Sequence, residues 1–445
     1  MQVAVIGTGR VGLVTCLTLA NLGHEVVGSD VDEDKIDGLR RGTAPFFEPD
    51  LEEAMVRELG TGRLSFTTDA SEAITPAEVI VVCVGTPARA DGDANLLAVE
   101  TAVREIARFA RDGAVVVEKS TVPAGTAERV RQLLSRGGDG RQVHVASNPE
   151  FLREGMALHD SLHPDRVVIG TTSDEARATL DRLYAPMIES GIRFIYTGVE
   201  TAELAKHASN AFLATKISFV NSLARLCERI GADVTDVADV MGADPRIGRA
   251  FLDAGLGYGG YCLPKDVAAL ERSATRVGYR FGLLNEVQRV NDEAVEAVAA
   301  TVEDAVWNLE GKRIALFGLA FKPLTDDVRS SPALALARRL LAHGAEVVGY
   351  DPKAADEARV ELPELRIAGT LLEAATGAHC VVVATAWDEI LETDLVTLRD
   401  AMTHPVLVDG RNALPPDRLH EAGFWYYPVG RAPVAPRHPI LVSER

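Results

Sequence analysis

The sequence VAVIGTGRVG at residues 3–12 decides the fold of this chain. Its apolar start is typical of a buried parallel strand, and the glycine-rich GTGRVG leads into a helical pattern over residues 11–22. A second strand pattern at residues 25–29 ends on Asp30. Strand, glycine-rich turn, helix and strand together predict a βαβ unit with an acidic residue at the end of its second strand.

This βαβ unit predicts a dinucleotide site. Gly7, Gly9 and Gly12 would let a pyrophosphate approach the helix N-terminus, where backbone N–H groups and the helix dipole favour negative charge. Asp30, 18 residues after Gly12, would accept hydrogen bonds from ribose hydroxyls and would repel a 2′-phosphate. Since the residues beside Asp30 include no arginine, we expect NAD rather than NADP as the cofactor.

Further strand patterns extend outward from this unit and predict a doubly wound sheet that reaches about residue 200. They lie at residues 79–84, 114–118, 143–146 and 166–169. Residues 201–230 then contain neither glycine nor proline and are apolar on more than one face. This pattern predicts one long buried helix that could also offer a dimer surface.

An internal repeat predicts a second domain of the same kind. LANLGHEVVGSD at residues 19–30 reappears as LLAHGAEVVGYD at residues 340–351. The strand of the second copy leads into AFKPLTDDVRSSP instead of a glycine-rich turn, so the architecture is repeated without the phosphate site. We therefore predict an α/β chain with two Rossmann-like doubly wound domains, residues 1–200 and 310–445, joined by a central long-helix region, residues 201–309.

The composition limits the classes of function. A formal charge of −19 over 445 residues argues against binding to nucleic acid or to an anionic membrane, but an anionic substrate could still bind beside a local cluster of cations. The first residues show no secretion signal, and no apolar run approaches the ~20 residues that span a bilayer. Five cysteines without metal-ligand spacing predict neither disulfides nor a metal site. We expect a cytoplasmic protein with reduced thiols.

The stretch GLGYGGYCLPKD at residues 255–266 is a candidate for chemistry because it surrounds Cys262 with glycines. The glycines would let the backbone approach a ligand, and Lys265 and Asp266 place charge beside the sulfur, which favours a reactive thiolate. The other four cysteines lie in apolar patterns typical of buried residues. A catalytic thiol and a glycine-rich structural loop both remain open on these residues alone.

Two pairs of polar residues share a spacing of four. Lys206 and Asn210 would lie on one face of the long predicted helix, where polar groups need a partner, either a ligand or a neighbouring loop. Glu150 and Glu154 in NPEFLREG follow the end of a strand. Their spacing suits paired acid and base roles, although solvated glutamates are also common.

Two loops and one lysine could contribute to the dinucleotide site. Thr86 and Thr121 each follow a buried strand, at the carboxyl edge where such sheets bind ligands, although simple turns would explain both loops. Lys35 could neutralise the adenosine end of the cofactor. Its charge pattern is more typical of a lysine on a helix surface.

The whole chain resembles the UDP-glucose/GDP-mannose dehydrogenase family. The motifs that carry the resemblance are GTGRVG with Asp30, STVPAGT, NPEFLREG, HPDRVVIG, ELAKHASNAFLATKISFVN, GLGYGGYCLPKD and FKPLTDDVRSSP. The resemblance implies the oxidation of a nucleotide sugar from its C6 alcohol to the carboxylate with two NAD, most closely in the branch that acts on UDP-glucose. The alternatives are GDP-mannose or another nucleotide sugar as substrate, and a protein that binds NAD without chemistry.

The resemblance also implies a role for each candidate. Cys262 would form a thiohemiacetal and then a thioester, and Lys206 and Asn210 would stabilise the oxyanion. Proton transfer in the later steps would fall to two glutamates whose division of work stays open, Glu150 and Glu154. A water that takes the first alcohol proton would be positioned by Asp266 and Thr121.

The remaining contacts follow from the same resemblance. The residues implied for NAD are Gly7, Gly9, Arg10, Val11, Gly12, Asp30, Lys35, Thr86, Thr121, Glu154, Lys265 and Arg329. Those implied for the UDP-sugar are Glu150, Phe151, Leu152, Lys206, Asn210, Arg246, Phe251, Tyr258, Gly259, Phe321, Lys322 and Arg411. Arg246 would reach across the interface of a homodimer. An ion pair with Asp326 or Asp327 is the alternative for Arg329.

One residue departs from the family pattern. Tyr261 precedes the cysteine where these enzymes more often carry a small residue, so its ring could narrow the sugar pocket. In the same motif, GLGYGG at residues 255–260 resembles the branch that acts on UDP-glucose. Pro264-Lys265-Asp266 departs from the valine-containing version in the branch that acts on N-acetylated sugars.

Overall fold

The structure, a computed structural model, describes residues 1–89, 92–137 and 140–437. The chain divides into two compact units. The first comprises Met1–Ser209 and Ala268–Tyr279, and the second comprises Asn210–Val267 and the chain from Arg280 on. The domain limits predicted from the sequence at residues 200 and 309 stay predictions, and the last eight residues of the third predicted domain lie outside the described residues.

The first unit is built on a sheet with eight strands among the described residues. They are β1 (Gln2–Ile6), β2 (Glu25–Ser29), β3 (Leu64–Thr67), β4 (Val79–Val82), β5 (Val115–Glu118), β6 (His144–Ser147), β7 (Val167–Gly170) and β8 (Phe194–Thr197). Their order is β3-β2-β1-β4-β5-β6-β7-β8, and every pair is parallel except β6 with β7. The order reverses between β1 and β4, which is where a doubly wound sheet binds its ligand.

Helices of the first unit connect these strands. They are α1 (Arg10–Asn21), α2 (Glu33–Arg40), α3 (Leu51–Gly60), α4 (Ala70–Ile74), α5 (Leu97–Phe109), α6 (Thr126–Gly137), α7 (Ala157–Leu162), α8 (Asp174–Leu183) and α9 (Ala185–Glu189). Along β1, Val3 and Val5 pack into one apolar cluster while Ala4 and Ile6 pack into another. Successive strand residues point to opposite faces, so the continuous apolar run reflects a sheet that is covered on both sides.

A group of helices follows, and two of them cross the division between the units. They are α10 (Val199–Ile230), α11 (Val234–Gly242), α12 (Cys262–Arg276) and α13 (Gly282–Val306). The long helix predicted at residues 201–230 is confirmed as the 32-residue α10. Its part in the second unit carries large apolar side chains that remain exposed, namely Phe212, Phe219, Leu226 and Ile230.

The second unit contains a six-stranded parallel sheet among the described residues. Its strands are β9 (Arg313–Phe317), β10 (Glu346–Tyr350), β11 (Arg366–Ile367), β12 (Cys380–Val383), β13 (Val406–Asp409) and β14 (Trp425–Pro428). Its remaining helices are α14 (Pro332–Ala342), α15 (Ala355–Glu361), α16 (Leu371–Ala375), α17 (Asp388–Leu391), α18 (Leu395–Ala401) and α19 (Pro416–Ala422).

The two sheets share one topology. The order β11-β10-β9-β12-β13-β14 matches the order β3-β2-β1-β4-β5-β6 in the larger sheet. The strand order again reverses beside the first strand of the repeat, here between β9 and β12. The predicted α/β fold of two Rossmann-like doubly wound domains joined by a long helix is therefore confirmed. Within the described residues, no helix combines the length and the apolar character that crossing a membrane requires.

Candidate active site

The glycine-rich turn brings the start of α1 close to β1 and to the residue after β4. Gly7 has φ +92°, and a Cβ there would lie 2.8 Å from the carbonyl oxygen of Cys83. A Cβ on Gly12 would overlap the carbonyl oxygen of Gly7. Gly9 differs, because a Cβ there would meet no atom of the other described residues within 4 Å, its chain neighbours aside. The turn therefore requires glycine at Gly7 and Gly12 for its own packing, while Gly9 leaves open space.

Asp30 lies at the carboxyl end of β2, where its side chain is 11% exposed. Its Oδ2 accepts hydrogen bonds from the Thr8 N–H at 2.9 Å and the Thr8 hydroxyl at 3.1 Å, and it forms an ion pair with Lys35 Nζ at 2.9 Å. Burial acts to raise the pKa of Asp30, but the hydrogen bonds from Lys35 and Thr8 outweigh it and the pKa is lowered. The glycine turn and the ionised acid together fit NAD. Lys35 forms an ion pair with that acid and is not simply a lysine on the solvent-exposed helix surface.

Two candidate loops meet at neighbouring strand ends. Thr86 follows β4, Thr121 follows β5, and the Thr86 hydroxyl donates to the Thr121 carbonyl oxygen at 2.9 Å. Thr86 is buried. The expected placement of both loops at the carboxyl edge of the sheet is confirmed, and their hydrogen bond fixes one against the other.

The first unit joins four of the predicted residues around one ion pair. Lys206 Nζ lies 2.8 Å from Glu150 Oε1, and the two side chains are 4% and 6% exposed. The second oxygen of Glu150 accepts the Leu152 N–H at 2.8 Å. Lys206 Nζ also lies 5.4 Å from the ring centroid of Phe151. A buried ammonium beside a buried carboxylate can stabilise a developing negative charge and can exchange a proton.

Glu154 does not share a helix face with Glu150. Residues 148–156 form a loop between β6 and α7, so the spacing of four does not align the two side chains as it would in a helix. The loop turns at Gly155, which has φ +78°, and the buried carboxylate of Glu48 accepts the N–H groups of Gly155 and Ala157 at 2.8 and 2.7 Å. Glu150 is buried, whereas Glu154 is partly exposed.

In the second unit, Cys262 is the first residue of α12 rather than part of a loop. Asp266 follows one turn later and is fully buried. Its Oδ2 accepts from Asn210 Nδ2 at 2.6 Å, and its Oδ1 lies 2.6 Å from Lys265 Nζ. The free N–H groups at a helix N-terminus stabilise a thiolate. The position of Cys262, directly after the glycines and at the start of α12, therefore suits a nucleophile.

Tyr261 packs between two cations of the second unit. The Arg329 guanidinium lies 4.2 Å from its ring centroid, and Lys265 Nζ lies 5.4 Å from it. Arg329 also forms an ion pair with Asp327 at 2.5 Å. This ion pair was the alternative to a contact with NAD for Arg329. The departure from a small residue is thus accompanied by a stacked arginine.

The glycine-rich loop before Cys262 is held by residues that the sequence analysis missed. Asn291 Oδ1 accepts the Tyr258 N–H at 2.8 Å and its Nδ2 donates to the Tyr258 carbonyl at 3.1 Å. Asn221 Oδ1 accepts the Gly255 N–H at 2.8 Å. Asn221 lies on α10, so a polar residue within that apolar helix was the signal that could have found it. Among the described residues, the buried Tyr258 hydroxyl has no hydrogen-bond partner.

Arg411 ties three segments of the second unit together. Its guanidinium donates to the carbonyl oxygens of Ala384, Gly257 and Phe321 at 2.7, 3.0 and 3.3 Å. Burial lowers the pKa of Arg411 to about 10. The Phe321 ring lies against Gly260, where a Cβ would approach it to 2.8 Å, and Lys322 Nζ lies 5.9 Å from the same ring centroid. Arg411 thus positions the loops that carry Tyr258 and Lys322.

Three substrate candidates of the second unit remain to be placed. Phe251 adopts φ +63°, a left-handed conformation that costs a non-glycine residue ~1–2 kcal/mol. Arg246 is 88% exposed and pairs with Asp244 at 2.6 Å. Gly259 has no room for a side chain, because a Cβ would overlap the Ser330 carbonyl oxygen. Contacts of these residues with a ligand or a second subunit stay predictions.

Three family models match this chain and together span most of it. The NAD binding domain of the UDP-glucose/GDP-mannose dehydrogenase family matches residues 1–188, its central domain residues 200–293, and its UDP binding domain residues 315–416. The chain belongs to this family. The glycine turn with Asp30 lies within the NAD binding domain of the family, and Cys262 lies within its central domain.

Curated and solved members of the UDP-glucose/GDP-mannose dehydrogenase family match the chain over nearly its full length. A UDP-glucose 6-dehydrogenase of Bacillus subtilis is 43% identical over 438 residues, which is 98% of this chain and 99% of the relative. The structure of a UDP-glucose dehydrogenase from Pyrobaculum islandicum matches with a TM-score of 0.89 and 39% identity, over 97% of this chain and 98% of that one. A GDP-mannose dehydrogenase from Pseudomonas aeruginosa matches with a TM-score of 0.54 and 30% identity, over 96% and 100%.

Proposed function

We propose that this chain oxidises the C6 alcohol of UDP-glucose to the carboxylate of UDP-glucuronate, a four-electron oxidation with two NAD. The observation that carries the proposal is Cys262 at the start of α12, beside the buried group of Asn210, Lys265 and Asp266. An alcohol dehydrogenase has no need of a thiol, but the second oxidation does. The Bacillus subtilis and Pyrobaculum islandicum relatives support UDP-glucose as the sugar.

The cysteine supplies the tetrahedral carbon that the second oxidation requires. NAD, when bound, accepts one hydride in each of the two oxidations. In the first, a water held by Thr121 and Asp266 takes the alcohol proton as the aldehyde forms. The Cys262 thiolate then adds to the aldehyde carbon, and this thiohemiacetal loses its C–H as hydride to give a thioester. Water attacks the thioester carbonyl, the C–S bond breaks, and the carboxylate leaves with the thiolate regenerated.

The polar groups of each unit stabilise the charges of this sequence. Lys206 and Asn210 lie one helical turn apart on α10 and would donate to the oxyanion of the thiohemiacetal and of the hydrolytic intermediate. Glu150, whose carboxylate is paired with Lys206, and Glu154 would move protons during hydrolysis. Arg329, stacked on Tyr261, and Lys265 would contact NAD.

We further propose that the chain acts as a homodimer in the cytoplasm. Phe212, Phe219, Leu226 and Ile230 recur at intervals of seven, seven and four along α10 and are all exposed, which suits a helical interface. Exposed Arg246 would complete the substrate site of the second subunit. A reducing compartment keeps Cys262 as a thiol.

The amount of NADH formed per sugar consumed tests the reaction. We expect about two NADH per UDP-glucose and none from GDP-mannose or UDP-N-acetylglucosamine, since each NAD takes one hydride. A ratio near two with another nucleotide sugar would assign that sugar as the substrate and keep the chain within the same family. GDP-mannose is the second candidate, and the lower TM-score of the Pseudomonas aeruginosa enzyme favours it less.

Cys262→Ser tests the covalent step. A serine hydroxyl is a far weaker nucleophile than a thiolate, so we expect UDP-glucuronate formation to fall by ~1000-fold or more while NADH affinity stays within about 2-fold of the wild type. Cys227→Ser is the matched control, because Cys227 is a buried cysteine within α10 and is not part of the glycine-rich motif. Substantial turnover by Cys262→Ser would exclude the thioester route.

A further inference from the structure

Two buried carboxyl groups of the first unit hold the loop that contains Thr121. Glu118 ends β5 and its Oε1 accepts the Ser120 N–H at 3.0 Å. Glu203, in the second turn of α10, accepts the Gly125 N–H at 2.6 Å and the Ala127 N–H at 2.8 Å. The two side chains belong to residues that are 1% and 2% exposed. Residues 120–127, here called the Thr121 loop, are therefore fixed at both ends by carboxyl groups.

The two carboxyl groups differ in how their oxygens are satisfied. Both oxygens of Glu203 accept a backbone N–H, which suits an anion. Glu118 Oε2 is buried and has no hydrogen-bond partner among the described residues. An unpartnered buried oxygen is much less costly on a neutral carboxyl than on a carboxylate. The geometry thus assigns a proton to Glu118 and the negative charge to Glu203.

Burial, with a smaller effect of a neighbouring charge, places the ionisation of Glu203 near neutral pH. Burial raises the pKa of Glu203 to about 7, against the N–H groups of Ala127, Gly125 and Thr126, and the anionic Glu200 on the same helix raises it further. Burial raises the pKa of Glu118 to about 8, and Glu203 adds to that rise. Glu200 is thus the side-chain charge that acts on Glu203 from α10, while α6 presents N–H groups. Glu118 on β5 carries no charge as long as it keeps its proton.

We propose that Glu203 is a positioning residue for the reaction, and that its carboxylate anion, beside a neutral Glu118, keeps the Thr121 loop in its active conformation. Protonation would place an O–H against one of the two N–H donors and release that end of the loop. Lys206 follows Glu203 by three residues on α10, so one segment of this helix positions both Thr121 and the ammonium beside Glu150. The proposal rests on the proposed function only through the role of Thr121.

Three substitutions separate this role from a purely structural one. Glu203→Gln keeps the shape but turns one acceptor into a donor, and we expect kcat to fall ~10- to 100-fold, as a displaced catalytic group would cause. The acid limb of the wild-type kcat profile, with its midpoint near pH 7, should disappear in this variant. Glu200→Gln is the control: Glu200 is exposed and has no hydrogen bond to the Thr121 loop within the described residues. Its kcat should hold, and the midpoint should move to lower pH because an anion is removed. Glu118→Gln imitates the protonated carboxyl and should cost less activity than Glu203→Gln.

Hydrogen exchange tests the loop without any substrate. After correction for the intrinsic effect of pH, amides of residues 120–131 in the wild type should exchange faster at pH 6 than at pH 8, and Glu203→Gln should exchange fast at both. An equal rate at the two pH values in the wild type, or wild-type kcat in Glu203→Gln, would overturn the inference. A wild type that is inactive on every nucleotide sugar but shows the expected exchange would instead count against the proposed function alone.

Discussion

Asp30 and Asp351 occupy the same place in the two sheets, yet Asp30 stays partly exposed and Asp351 is buried. Each ends the second strand of a βαβ unit, after EVVGS and EVVGY. In both, a glycine with positive φ donates its N–H to the residue before the acid: Gly7 to Ser29 at 2.8 Å and Gly318 to Tyr350 at 2.7 Å.

The two acids differ in the donors that surround them. Asp30 accepts from Thr8, Lys35 and the Asp32 N–H and keeps 11% of its side chain exposed. Asp351 is buried and accepts five hydrogen bonds. The donors are the N–H groups of Leu319, Ala320, Lys353 and Ala354, at 2.7, 3.0, 2.9 and 2.8 Å, and Trp387 Nε1 at 3.1 Å.

This difference explains how one repeat serves two purposes. The repeated strand and acid build the same backbone corner in both units, and the residues that contact the acid decide its use. The carboxylate oxygens of Asp351 accept hydrogen bonds from Trp387 and from the turn after β10, so this carboxylate stabilises its own domain. In the first unit the acid remains at an edge where ribose hydroxyls can reach it.

The largest effect is expected for Asp351→Ala. The substitution leaves five N–H donors without their acceptor, and we expect the free energy of unfolding to fall by about 3 kcal/mol or more in urea titrations. Asp351→Asn, which keeps one acceptor oxygen, should lose less. NADH affinity should stay within about 2-fold, because the acid proposed for the NAD site is Asp30 in the other unit. A loss of stability below about 1 kcal/mol would break the comparison.

Gly12→Ala and Gly9→Ala should divide packing from ligand contact. A Cβ on Gly12 overlaps the Gly7 carbonyl, whereas a Cβ on Gly9 meets open space. We expect both variants to bind NADH more weakly, by ~100-fold for Gly12→Ala, which is about 2.7 kcal/mol. Only Gly12→Ala should also lower the melting temperature. Equal melting temperatures of the two variants would contradict this division.

The smallest effect is expected for Asp30→Ala. Loss of the carboxylate proposed as the ribose acceptor should weaken NADH binding by ~10-fold, about 1.4 kcal/mol, in a fluorescence titration. The pKa of Asp30 is lowered in the folded protein, so its contribution to stability is present above the ordinary carboxyl pKa and is lost only as pH falls through the lowered value. NADH affinity of the wild type should therefore not decline through this group between pH 5 and pH 8. Lys35→Met should weaken NADH binding less than Asp30→Ala, because the ion pair of Lys35 with Asp30 is partly exposed.

The regular elements could be predicted from the sequence because their signals are local. The strand at residues 25–29, the long helix α10 and the repeat at residues 340–351 all follow from periodicity and glycine placement. The same reasoning identified Asp30, Lys206, Cys262 and Asp266 as polar or reactive residues in unusual settings.

The remaining features depend on residues that are distant in sequence. Glu203 lies 78 residues from Gly125, and Arg411 lies 154 residues from Gly257, so no short pattern links either pair. The course of the loop at residues 148–156 could not be predicted for a related reason, because the Glu48 carboxylate fixes it from more than 100 residues away. Tertiary hydrogen bonds of this kind leave no periodicity to detect.

The path of the chain between its two compact units has a consequence for how this protein can be divided. The boundaries fall after Ser209 within α10, after Val267 within α12, and after Tyr279. No single cut therefore yields two self-contained fragments, and two of the three crossings would sever a helix. Exchanging the whole first unit with that of a relative would require transplanting a discontinuous pair of segments, so recombination at one crossover point should produce insoluble chimaeras.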